Sequence, residues 1–559
     1  MTNSNILSFL LLALSLSPPT HALWPQPRSL QTGSTALPLS PSFSIQFSDV
    51  PSAPADLQSA VNRIQAFLVG DKLERLVVGR GAADKDAVAA ANTLSALTLH
   101  LGGTGGAKSI ASEAQAPLED RDEAYTLTLP ADGSPASISA NSTLGLFRGL
   151  TTFTQLWYSA NDDVYAINAP VSIEDSPAYP YRGLMLDTSR NYFPVDDIKR
   201  TLDAMSWVKI NTFHWHVVDS QSFPLQIPGY EQLADNGAYS AASVYSPSDV
   251  QDIVSYAGER GIDVLAEIDT PGHTSAISKS HPEFIACAEA TPWTTYANEP
   301  PAGQLRLASA DVANFTAGLL SAAASLFPSK YFSTGGDEIN QACYRDDAET
   351  QAALNASGQS LFGALSTFTA TTHGALDKVG KTPVVWEEMV LDYNVTTLSN
   401  ETVVMTWISS ANAAAVAAKG YKLVHAASDY FYLDCGGGGW VGANPSGNSW
   451  CDPFKTWQKS YSFDPLANLT SAQASLVLGG QHLLWTEQSG PENLDPIVWP
   501  RAAASAELFW SGGNGSGNVS AALPRLHDLA YRMRRRGVRA ISLQPEWCAL
   551  RPGVCDLTA

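Results

Sequence analysis

The C-terminal two thirds of this chain repeat one pattern, in which a short apolar segment is followed by a turn and often by a stretch with helical spacing. From about residue 176 onward there are eight such apolar segments. Strands that alternate with helices pair in parallel. Eight units in roughly 370 residues therefore predict an α/β fold, a (β/α)8 TIM barrel with insertions. The segments are RGLMLD, INTFHWHVVD, IDVLAEID, YFSTGGDE, PVVWEE, TVVMTW, YKLVHA and QHLLWTE.

A doubly wound open sheet is the alternative fold for the same alternation. That fold ordinarily carries a glycine-rich phosphate-binding turn after its first strand. Here the first segment leads into TSRNYFP, which contains no glycine. The helices after the fifth and seventh segments are weakly marked, and the seventh leads into CGGGGW and a long loop. The closed barrel is therefore favoured.

The residues before the barrel have a different pattern. FSIQFS and AYTLTL alternate apolar and polar residues as half-buried strands do, whereas DLQSAVNRIQAFLVG and LGLFRGLTTFTQLW have helical spacing. We predict a small non-catalytic α+β domain over residues 23–175 and a catalytic barrel domain over residues 176–559. No cluster of acids lies in the first domain, so a scaffolding role is expected for it.

The N-terminus and the charge bear on location and partners. Ile6 to Leu16 form an apolar run too short to cross a bilayer, and small residues follow at cleavage positions, so residues 1–22 are predicted to be a signal peptide. A buried N-terminal helix is the alternative. No later stretch is long and apolar enough for a membrane span. The net charge of −21 argues against nucleic acid, which selects basic surfaces.

The cysteines and glycosylation sequons agree with secretion. Six cysteines suit an oxidising compartment and allow fifteen pairings. We expect the sequential pairing, Cys287 with Cys343, Cys435 with Cys451, and Cys548 with Cys555. Eight Asn-X-Ser/Thr sequons predict N-glycosylation. Their asparagines are Asn141, Asn314, Asn355, Asn394, Asn400, Asn468, Asn514 and Asn518. Extracellular placement is expected, with vacuolar, lysosome-like or wall-associated placement as alternatives.

Acids and tryptophans gather at the ends of the predicted strands. The active site of a barrel enzyme lies at the C-terminal ends of its strands. Indole faces stack on sugar rings and carboxylates accept hydrogen bonds from hydroxyls, so this set predicts a carbohydrate pocket. The strand-end residues are Asp187, Asp219, Asp269, Asp337, Glu338, Glu387, Glu487, Trp386, Trp407 and Trp485.

Two other chemistries could use these residue types. His214 and His216 lie two apart in HWH, and His273 follows the third strand, so histidines and acids could form a metal site. There is no HExxH pair and no ligand cluster at fixed spacing, and we predict no metal and no cofactor. A conventional retaining glycosidase would need a separate nucleophile, for which Glu387 or Glu388 are candidates.

The motifs taken together resemble the β-N-acetylhexosaminidases of glycoside hydrolase family 20, over nearly the whole mature chain. STGGDEIN and NTFHWHVVDSQSFP are specific in combination, and YRGLMLDTSRNYFP, DVLAEIDTPGHT and LLWTEQ agree with them. PPAGQLRLAS and the segment SGNSWCDPFKTWQKSYSFDP look most like fungal members. The resemblance implies a retaining exo-glycosidase that removes terminal β-linked GlcNAc, and GalNAc as a second candidate, from chitooligosaccharides and glycoconjugates.

The resemblance also implies how two adjacent acids could do this work. In this family the substrate's 2-acetamido oxygen is the nucleophile and gives an oxazolinium intermediate, so the enzyme needs no nucleophilic carboxylate. Glu338 would be the general acid and then the base, and Asp337 would orient and stabilise the acetamide. Asp219 and His273 would support Glu338. The implied sugar-binding residues are Arg182, Trp386, Trp407, Tyr432, Asp434, Trp485 and Glu487.

Other functions remain open on the sequence alone. A non-catalytic glycan-binding protein would lack the catalytic acids, which are present here. A metal-dependent hydrolase would lose activity in EDTA. Members of the family are often dimers through the barrel domain, and a homodimer is the association that the resemblance implies.

Overall fold

A computed structural model describes residues 22–50, 52–103, 106–160, 163–513 and 518–557. The predicted signal peptide lies outside these residues except for Ala22, and so does Asn514. Among the helices so described, none is both long and apolar enough to cross a membrane.

The first six strands build the N-terminal unit. They form one sheet in the order β1-β2-β4-β3-β6-β5, and β1 is long enough to pair with β2 through its second half and with β6 through its first half. The helix α4, Thr143–Thr154, buries its whole length because two glycines, Gly145 and Gly149, let it lie against the sheet. The strands are β1 Ser29–Phe47, β2 Leu94–Leu101, β3 Tyr125–Leu129, β4 Ala136–Ala140, β5 Tyr158–Ala160 and β6 Asp163–Asp175.

Eight of the remaining strands close into a parallel barrel, which confirms the predicted fold and rules out the doubly wound sheet. The ring runs β7-β8-β9-β12-β13-β14-β15-β16, and β16 pairs with β7 to close it. Each of the eight predicted apolar segments contains or overlaps one barrel strand. The strands are β7 Tyr181–Asp187, β8 Thr212–Val218, β9 Asp263–Ile268, the two-residue pair β10 Ile285–Ala286 and β11 Gln304–Leu305, β12 Tyr331–Ser333, β13 Thr382–Trp386, β14 Val403–Thr406, β15 Lys422–His425 and β16 Val477–Leu484.

Helices surround the barrel and cover its strands, which is why β7, β8 and β9 are buried at every position. The α-helices are α1 Ala55–Gly70, α2 Lys85–Ala89, α3 Ile110–Ala114, α4 Thr143–Thr154, α5 Val195–Trp207, α6 Glu231–Gly237, α7 Pro247–Gly258, α8 Ala310–Ala324, α9 Gln341–Asp346, α10 Ala348–Ser357, α11 Leu361–Lys378, α12 Glu388–Leu391, α13 Ala413–Ala418, α14 Ser428–Phe431, α15 Trp457–Tyr461, α16 Ser471–Ala474, α17 Leu494–Val498, α18 Ala503–Ser511, α19 Val519–Arg535 and α20 Glu546–Ala549. After strands β13 and β15 the helices are only one to two turns long, in line with their weak sequence signal.

A buried ion network joins the N-terminal sheet to the barrel. Glu123 accepts hydrogen bonds from Arg148 Nε at 2.7 Å and from Arg182 Nη2 at 2.6 Å. Lys209 Nζ lies 3.0 Å from Asp175 Oδ2 and is fully buried. The pairs that Arg182 and Lys209 make with the acids of the N-terminal unit form only when the two units are together, so they fix the N-terminal sheet against the end of the barrel where the strands begin.

The disulfide and sequon predictions can be compared with the structure directly. The three disulfides are those expected, Cys287–Cys343, Cys435–Cys451 and Cys548–Cys555. All seven described sequon asparagines are exposed, as an attached glycan requires.

Candidate active site

The C-terminal ends of the barrel strands bring the predicted acids and tryptophans together. Asp187 ends β7, and Asp219 and Asp269 follow β8 and β9 by one residue. Trp386 ends β13, whereas Trp407 and Trp485 follow β14 and β16 directly. One edge of the barrel therefore carries both the carboxylates and the indoles.

A glycine turn decides where Asp337 and Glu338 point. Strand β12 ends at Ser333, so the two acids lie beyond the pleated part of the strand. Gly335 and Gly336 have φ of 63° and 103°, a region that glycine enters without strain. Glu338 itself has φ 51°, an uncommon value for a side-chain-bearing residue. The turn lets adjacent carboxylates face different surroundings.

Asp337 is buried, close enough to Tyr432 to interact with it electrostatically. Its Oδ1 atom is enclosed and no donor among the described residues pairs with it. Burial raises the pKa of Asp337, while the positive charge of His273 and a hydrogen bond from Asp269 oppose that rise. Burial and the neighbouring charge of Asp337 raise the pKa of Asp269 well above its ordinary value, so Asp269 stays protonated and donates to Asp337. The arrangement holds one ionised carboxylate facing the pocket.

Glu338 is the more accessible of the two acids and is held by His273. Its side chain is 24% exposed, and its Oε2 lies 3.3 Å from His273 Nε2. His273 Nδ1 lies 3.0 Å from Asp219 Oδ1. Burial raises the pKa of Glu338, but the hydrogen bond and charge of His273 outweigh it and leave that pKa below its ordinary value. Asp219, His273 and Glu338 therefore lie in contact in that order.

The same groups test the metal alternative. Ligand atoms of Asp269, His273 and Asp337 lie within 4.8 Å of one another. Burial lowers the pKa of His273, but Asp219 and the neighbouring carboxylates raise it well above its ordinary value. A protonated imidazole offers no lone pair to a cation. Both ring nitrogens of His273 already face carboxylate partners, Nδ1 at Asp219 and Nε2 at Glu338.

Aromatic side chains enclose the space beside Asp337. The Trp386 and Trp485 rings are tilted at 6.2 Å between centroids, and Trp407 and Tyr432 are stacked at 6.4 Å. Burial raises the pKa of Tyr432 well above its ordinary value, so its hydroxyl is a donor at every working pH. Trp450, which the sequence argument did not single out, lies edge-on to Trp407 at 5.5 Å and is 64% exposed.

Polar groups line the opposite side of the pocket. Burial raises the pKa of Asp434 to about 7 and that of Glu487 well above its ordinary value. Asp434 Oδ1 is buried and has no hydrogen-bond partner among the described residues. Arg190 Nη2 lies 3.0 Å from Asp219 Oδ2, and its guanidinium covers the Trp485 ring at 4.9 Å. These groups can bind several hydroxyls on one sugar ring.

Arg182 does not lie in this pocket, which contradicts the expected sugar-binding role. It is the second residue of β7, at the opposite end of the barrel, and its guanidinium bonds Glu123 and the carbonyl oxygens of Tyr179 and Lys209. The arginine at the pocket is Arg190, three residues after Asp187. Its position just beyond a strand end was the signal that could have identified it.

The two alternative nucleophiles have other partners. Glu387 Oε2 accepts from the backbone N–H of Trp407 at 2.9 Å, and Glu388 Oε2 accepts from the Trp407 indole N–H at 2.8 Å. Burial raises the pKa of Glu387 to about 7 and that of Glu388 well above its ordinary value. Both carboxyls are therefore engaged on the Trp407 side of the pocket.

Comparison with known proteins places this chain in a family. Residues 179–513 match the family described as "Glycosyl hydrolase family 20, catalytic domain", and residues 23–156 match "beta-acetyl hexosaminidase like". The two matches together span both structural units.

Individual relatives agree with the family match. A "Beta-hexosaminidase" of Arthroderma benhamiae is 38% identical over 457 residues, covering 78% of this chain and 74% of that protein. A "Chitooligosaccharidolytic beta-N-acetylglucosaminidase" of Bombyx mori is 37% identical over 456 residues, covering 78% of this chain and 75% of that protein. The crystal structure of Flavobacterium johnsoniae chitobiase superposes with a TM-score of 0.74 at 27% identity, covering 93% of this chain and 74% of that one. This chain is a hydrolase and belongs to glycosyl hydrolase family 20.

Proposed function

We propose that the protein removes terminal non-reducing β-linked N-acetylhexosamine with retention, using the substrate's own acetamide oxygen as the nucleophile. The observation that carries this proposal is the division between two adjacent acids. Asp337 lies buried beside the aromatic side chains, whereas Glu338 reaches the accessible mouth of the pocket. A conventional retaining enzyme holds two carboxyl groups about 5 Å apart on either side of the bond. A substrate nucleophile removes the need for the second carboxylate there.

The buried half of the site suits an N-acetyl group. The free Oδ1 of Asp337 would accept the acetamide N–H, and the Tyr432 hydroxyl would donate to the acetamide oxygen. The ring faces of Trp386, Trp407 and Trp485 would pack on the methyl group and exclude water. Positive charge that develops on the acetamide nitrogen would then meet the Asp337 carboxylate in a medium of low dielectric constant, where electrostatic stabilisation is strong.

Glu338 would carry the proton transfers. It protonates the leaving glycosidic oxygen as the acetamide oxygen bonds to the anomeric carbon. It then takes a proton from water as the water oxygen opens the oxazolinium ring, which returns the β-anomer. Substrate burial of Glu338 would raise its pKa toward the value that a general acid needs, since desolvation already acts in that direction.

The rim of the pocket supports oligosaccharide substrates. Trp450 stands exposed beside Trp407, so a second sugar bonded through the leaving oxygen would meet an indole face. Chitooligosaccharides are therefore the first candidates, in agreement with the chitooligosaccharide-cleaving Bombyx mori relative. An activity panel that compares 4-nitrophenyl β-GlcNAc, 4-nitrophenyl β-GalNAc and chitobiose tests this substrate range. Glycoprotein glycans and GalNAc-terminated substrates are the other candidates.

The decisive variant is Asp337→Asn, which keeps the shape of the side chain and removes its charge. Removing one preorganised electrostatic contact to a transition state typically lowers kcat by about 10²–10³. A 2-acetamido thiazoline, which imitates the oxazolinium ring, should inhibit the wild-type enzyme and bind the variant more weakly.

Because the pKa of Asp337 is raised, wild-type activity should fall on the acid side at a pH above the ordinary Asp range.

Two results would overturn the proposal. A folded wild-type enzyme that cleaves neither aryl glycoside would refute the activity. An active enzyme that is indifferent to the thiazoline and to Asp337→Asn would refute the substrate-assisted mechanism, and trapping of a glycosyl ester on Glu387 or Glu388 would replace it.

We also propose that the protein is a secreted glycoprotein. Three disulfides and exposed sequon asparagines support passage through an oxidising compartment. Intact mass before and after endoglycosidase treatment tests glycosylation, and light scattering tests the homodimer that the family resemblance implies.

A further inference from the structure

A charged side chain occupies the last but one position of barrel strand β9, Asp263–Ile268. Glu267 is fully buried within the barrel. A buried carboxylate is tolerated when it is paired and hydrogen-bonded, and is otherwise strongly destabilising. The residues that satisfy Glu267 therefore indicate what it does.

Glu267 accepts hydrogen bonds from four side chains on three strands. Its Oε1 lies 2.6 Å from His216 Nδ1 and 3.3 Å from Trp386 Nε1. Its Oε2 lies 2.9 Å from His214 Nε2 and 2.5 Å from Ser333 Oγ. Both oxygens are saturated, so the carboxylate has one orientation, and it fixes the groups that donate to it.

One branch from Glu267 leads to the predicted general acid. His216 donates from Nδ1 to Glu267 and from Nε2 to Asp219 Oδ2 at 2.8 Å. Asp219 accepts from His273, which in turn contacts Glu338. Acids and imidazoles alternate along this branch without a gap. Burial lowers the pKa of His216, but its two carboxylate partners outweigh burial and raise that pKa to about 10, so both nitrogens carry protons.

A second branch leads to the acetamide side of the pocket. Trp386 is the wall residue closest to Glu267, and its indole N–H points at the carboxylate. The orientation of this ring sets one face of the N-acetyl pocket. One carboxylate thus contacts both halves of the proposed machinery, the proton donor through three residues and the aromatic wall directly.

The lower end of the network fixes which atoms donate. Tyr181 OH donates to Gln481 Oε1 at 2.6 Å, so the Gln481 amide nitrogen faces His214 Nδ1 at 3.1 Å. His214 Nδ1 must then accept, which leaves its proton on Nε2 to donate to Glu267. The direction of the hydrogen bonds that run from Tyr181 through Gln481 and His214 to Glu267 is thereby set.

We propose that Glu267 is a positioning residue for the reaction, which orients Glu338 through His216, Asp219 and His273 and orients Trp386 directly. This inference rests on the proposed role of Glu338 as general acid. Glu267 touches no reacting atom in this account. Its contribution is the alignment of the proton donor with the leaving oxygen.

The test compares two leaving groups in Glu267→Gln. An amide accepts through one oxygen only, so it cannot receive all four donors, and the branch to Glu338 loosens. A 2,4-dinitrophenyl leaving group departs without protonation, whereas the sugar of chitobiose needs it. General acid catalysis is worth about 10²–10⁴, so we expect kcat/KM to fall about tenfold more for chitobiose than for the 2,4-dinitrophenyl glycoside. The altered Trp386 wall should add a loss common to both substrates.

Three matched variants separate the outcomes. Glu338→Gln should also lose more kcat/KM for chitobiose than for the 2,4-dinitrophenyl glycoside, and by a larger factor. If it does not, the proposed role of Glu338 as general acid is wrong, and the inference about Glu267 falls with it. His216→Gln breaks the branch beyond Glu267 and should reproduce the selectivity, so it carries the test if Glu267→Gln does not fold. Glu507→Gln breaks another buried ion pair, with Arg525, outside the pocket, and should lower stability without any selectivity. The proposal would be overturned if Glu267→Gln or His216→Gln lowered kcat/KM equally for both substrates while Glu338→Gln lowered it more for chitobiose.

Discussion

Replacing Arg182 with methionine should weaken the fold and leave the chemistry intact. The change keeps an unbranched apolar side chain and removes a guanidinium whose Nη2 lies 2.8 and 2.6 Å from the two carboxylate oxygens of Glu123. It also removes donors to the carbonyl oxygens of Lys209 and Tyr179. All of these contacts lie at the junction of the N-terminal sheet with the barrel, far from the strand ends that carry the pocket.

The magnitude follows from the state of Glu123. Burial raises its pKa, but Arg182 first and Arg148 second outweigh burial and lower that pKa from 4.5 to about 2. A shift of this size corresponds to about 3 kcal/mol of favourable interaction with both arginines together. Desolvation of Arg148, whose pKa burial lowers, offsets part of it. Breaking a buried pair typically costs about 3–5 kcal/mol, and because Arg148 remains, we expect about 3 kcal/mol.

The assay pairs unfolding with kinetics. Urea-induced unfolding followed by tryptophan fluorescence should show the loss in Arg182→Met, while KM and kcat for an aryl β-GlcNAc stay within about twofold of wild type. Arg190→Met should do the reverse and impair catalysis. Lys199→Met, which breaks the exposed Lys199–Asp252 pair, is the control and should change unfolding by less than about 1 kcal/mol.

The pH dependence of this loss has a definite sign. A carboxyl whose folded pKa is lowered stabilises the fold above its unfolded pKa and loses that effect as the pH falls through the folded value. The difference between wild type and Arg182→Met should therefore be full above pH 4.5 and shrink as the pH falls toward about 2. The reasoning would be refuted if Arg182→Met had the same free energy of unfolding as the wild type and a tenfold higher KM. That result would indicate that Arg182 binds the sugar.

Two further predictions concern the turn and the loop around the site. In Gly335→Ala the new Cβ would lie 2.0 Å from Asp269 Oδ1, so we expect kcat to fall. Gly358→Ala is the control, because that glycine has a similar φ and a Cβ there would have no atom within 4 Å. Measurement of kcat on the purified, folded variants checks this, and equal effects of the two changes would contradict it. Replacing both Cys435 and Cys451 with serine should release the loop beside Tyr432 and raise KM for chitobiose more than for an aryl glycoside, as steady-state kinetics on both substrates will show. An unchanged ratio of the two KM values would argue against a role of the loop in holding the second sugar.

The barrel could be predicted from the sequence because each strand has a local signal that can be recognised without knowing its neighbours. All eight apolar segments are short, and seven of them end in an acid or a tryptophan, whereas YKLVHA ends in alanine. Disulfide pairing also followed from proximity along the chain. The N-terminal sheet was predicted only in part, because only two of its strands, β1 and β3, were identified from their alternation, and β2, β4, β5 and β6 were not.

The errors and omissions at the site have two causes. Arg182 was predicted to bind sugar on the strength of the family resemblance. A residue at the start of a barrel strand lies at the end opposite the active site, and Arg182 follows that rule. Glu267 was overlooked because it lies within β9, one residue before the strand ends, and only residues at or beyond a strand end were predicted to line the pocket. His214 and His216 suggested a metal site, since nothing in the sequence shows that a neighbouring strand supplies their carboxylate. Partners across strands depend on register, which a single sequence does not display.

The segment between Cys435 and Cys451 has a consequence for engineering. It is closed at both ends by one disulfide, carries the exposed Trp450, and supplies neither Asp337 nor Glu338. Its ends are 5.4 Å apart between Cα atoms, so a segment of another length can be grafted between the same two cysteines without moving the strands. Substrate range could thus be exchanged between relatives as a cassette, while the chemical step stays with the barrel.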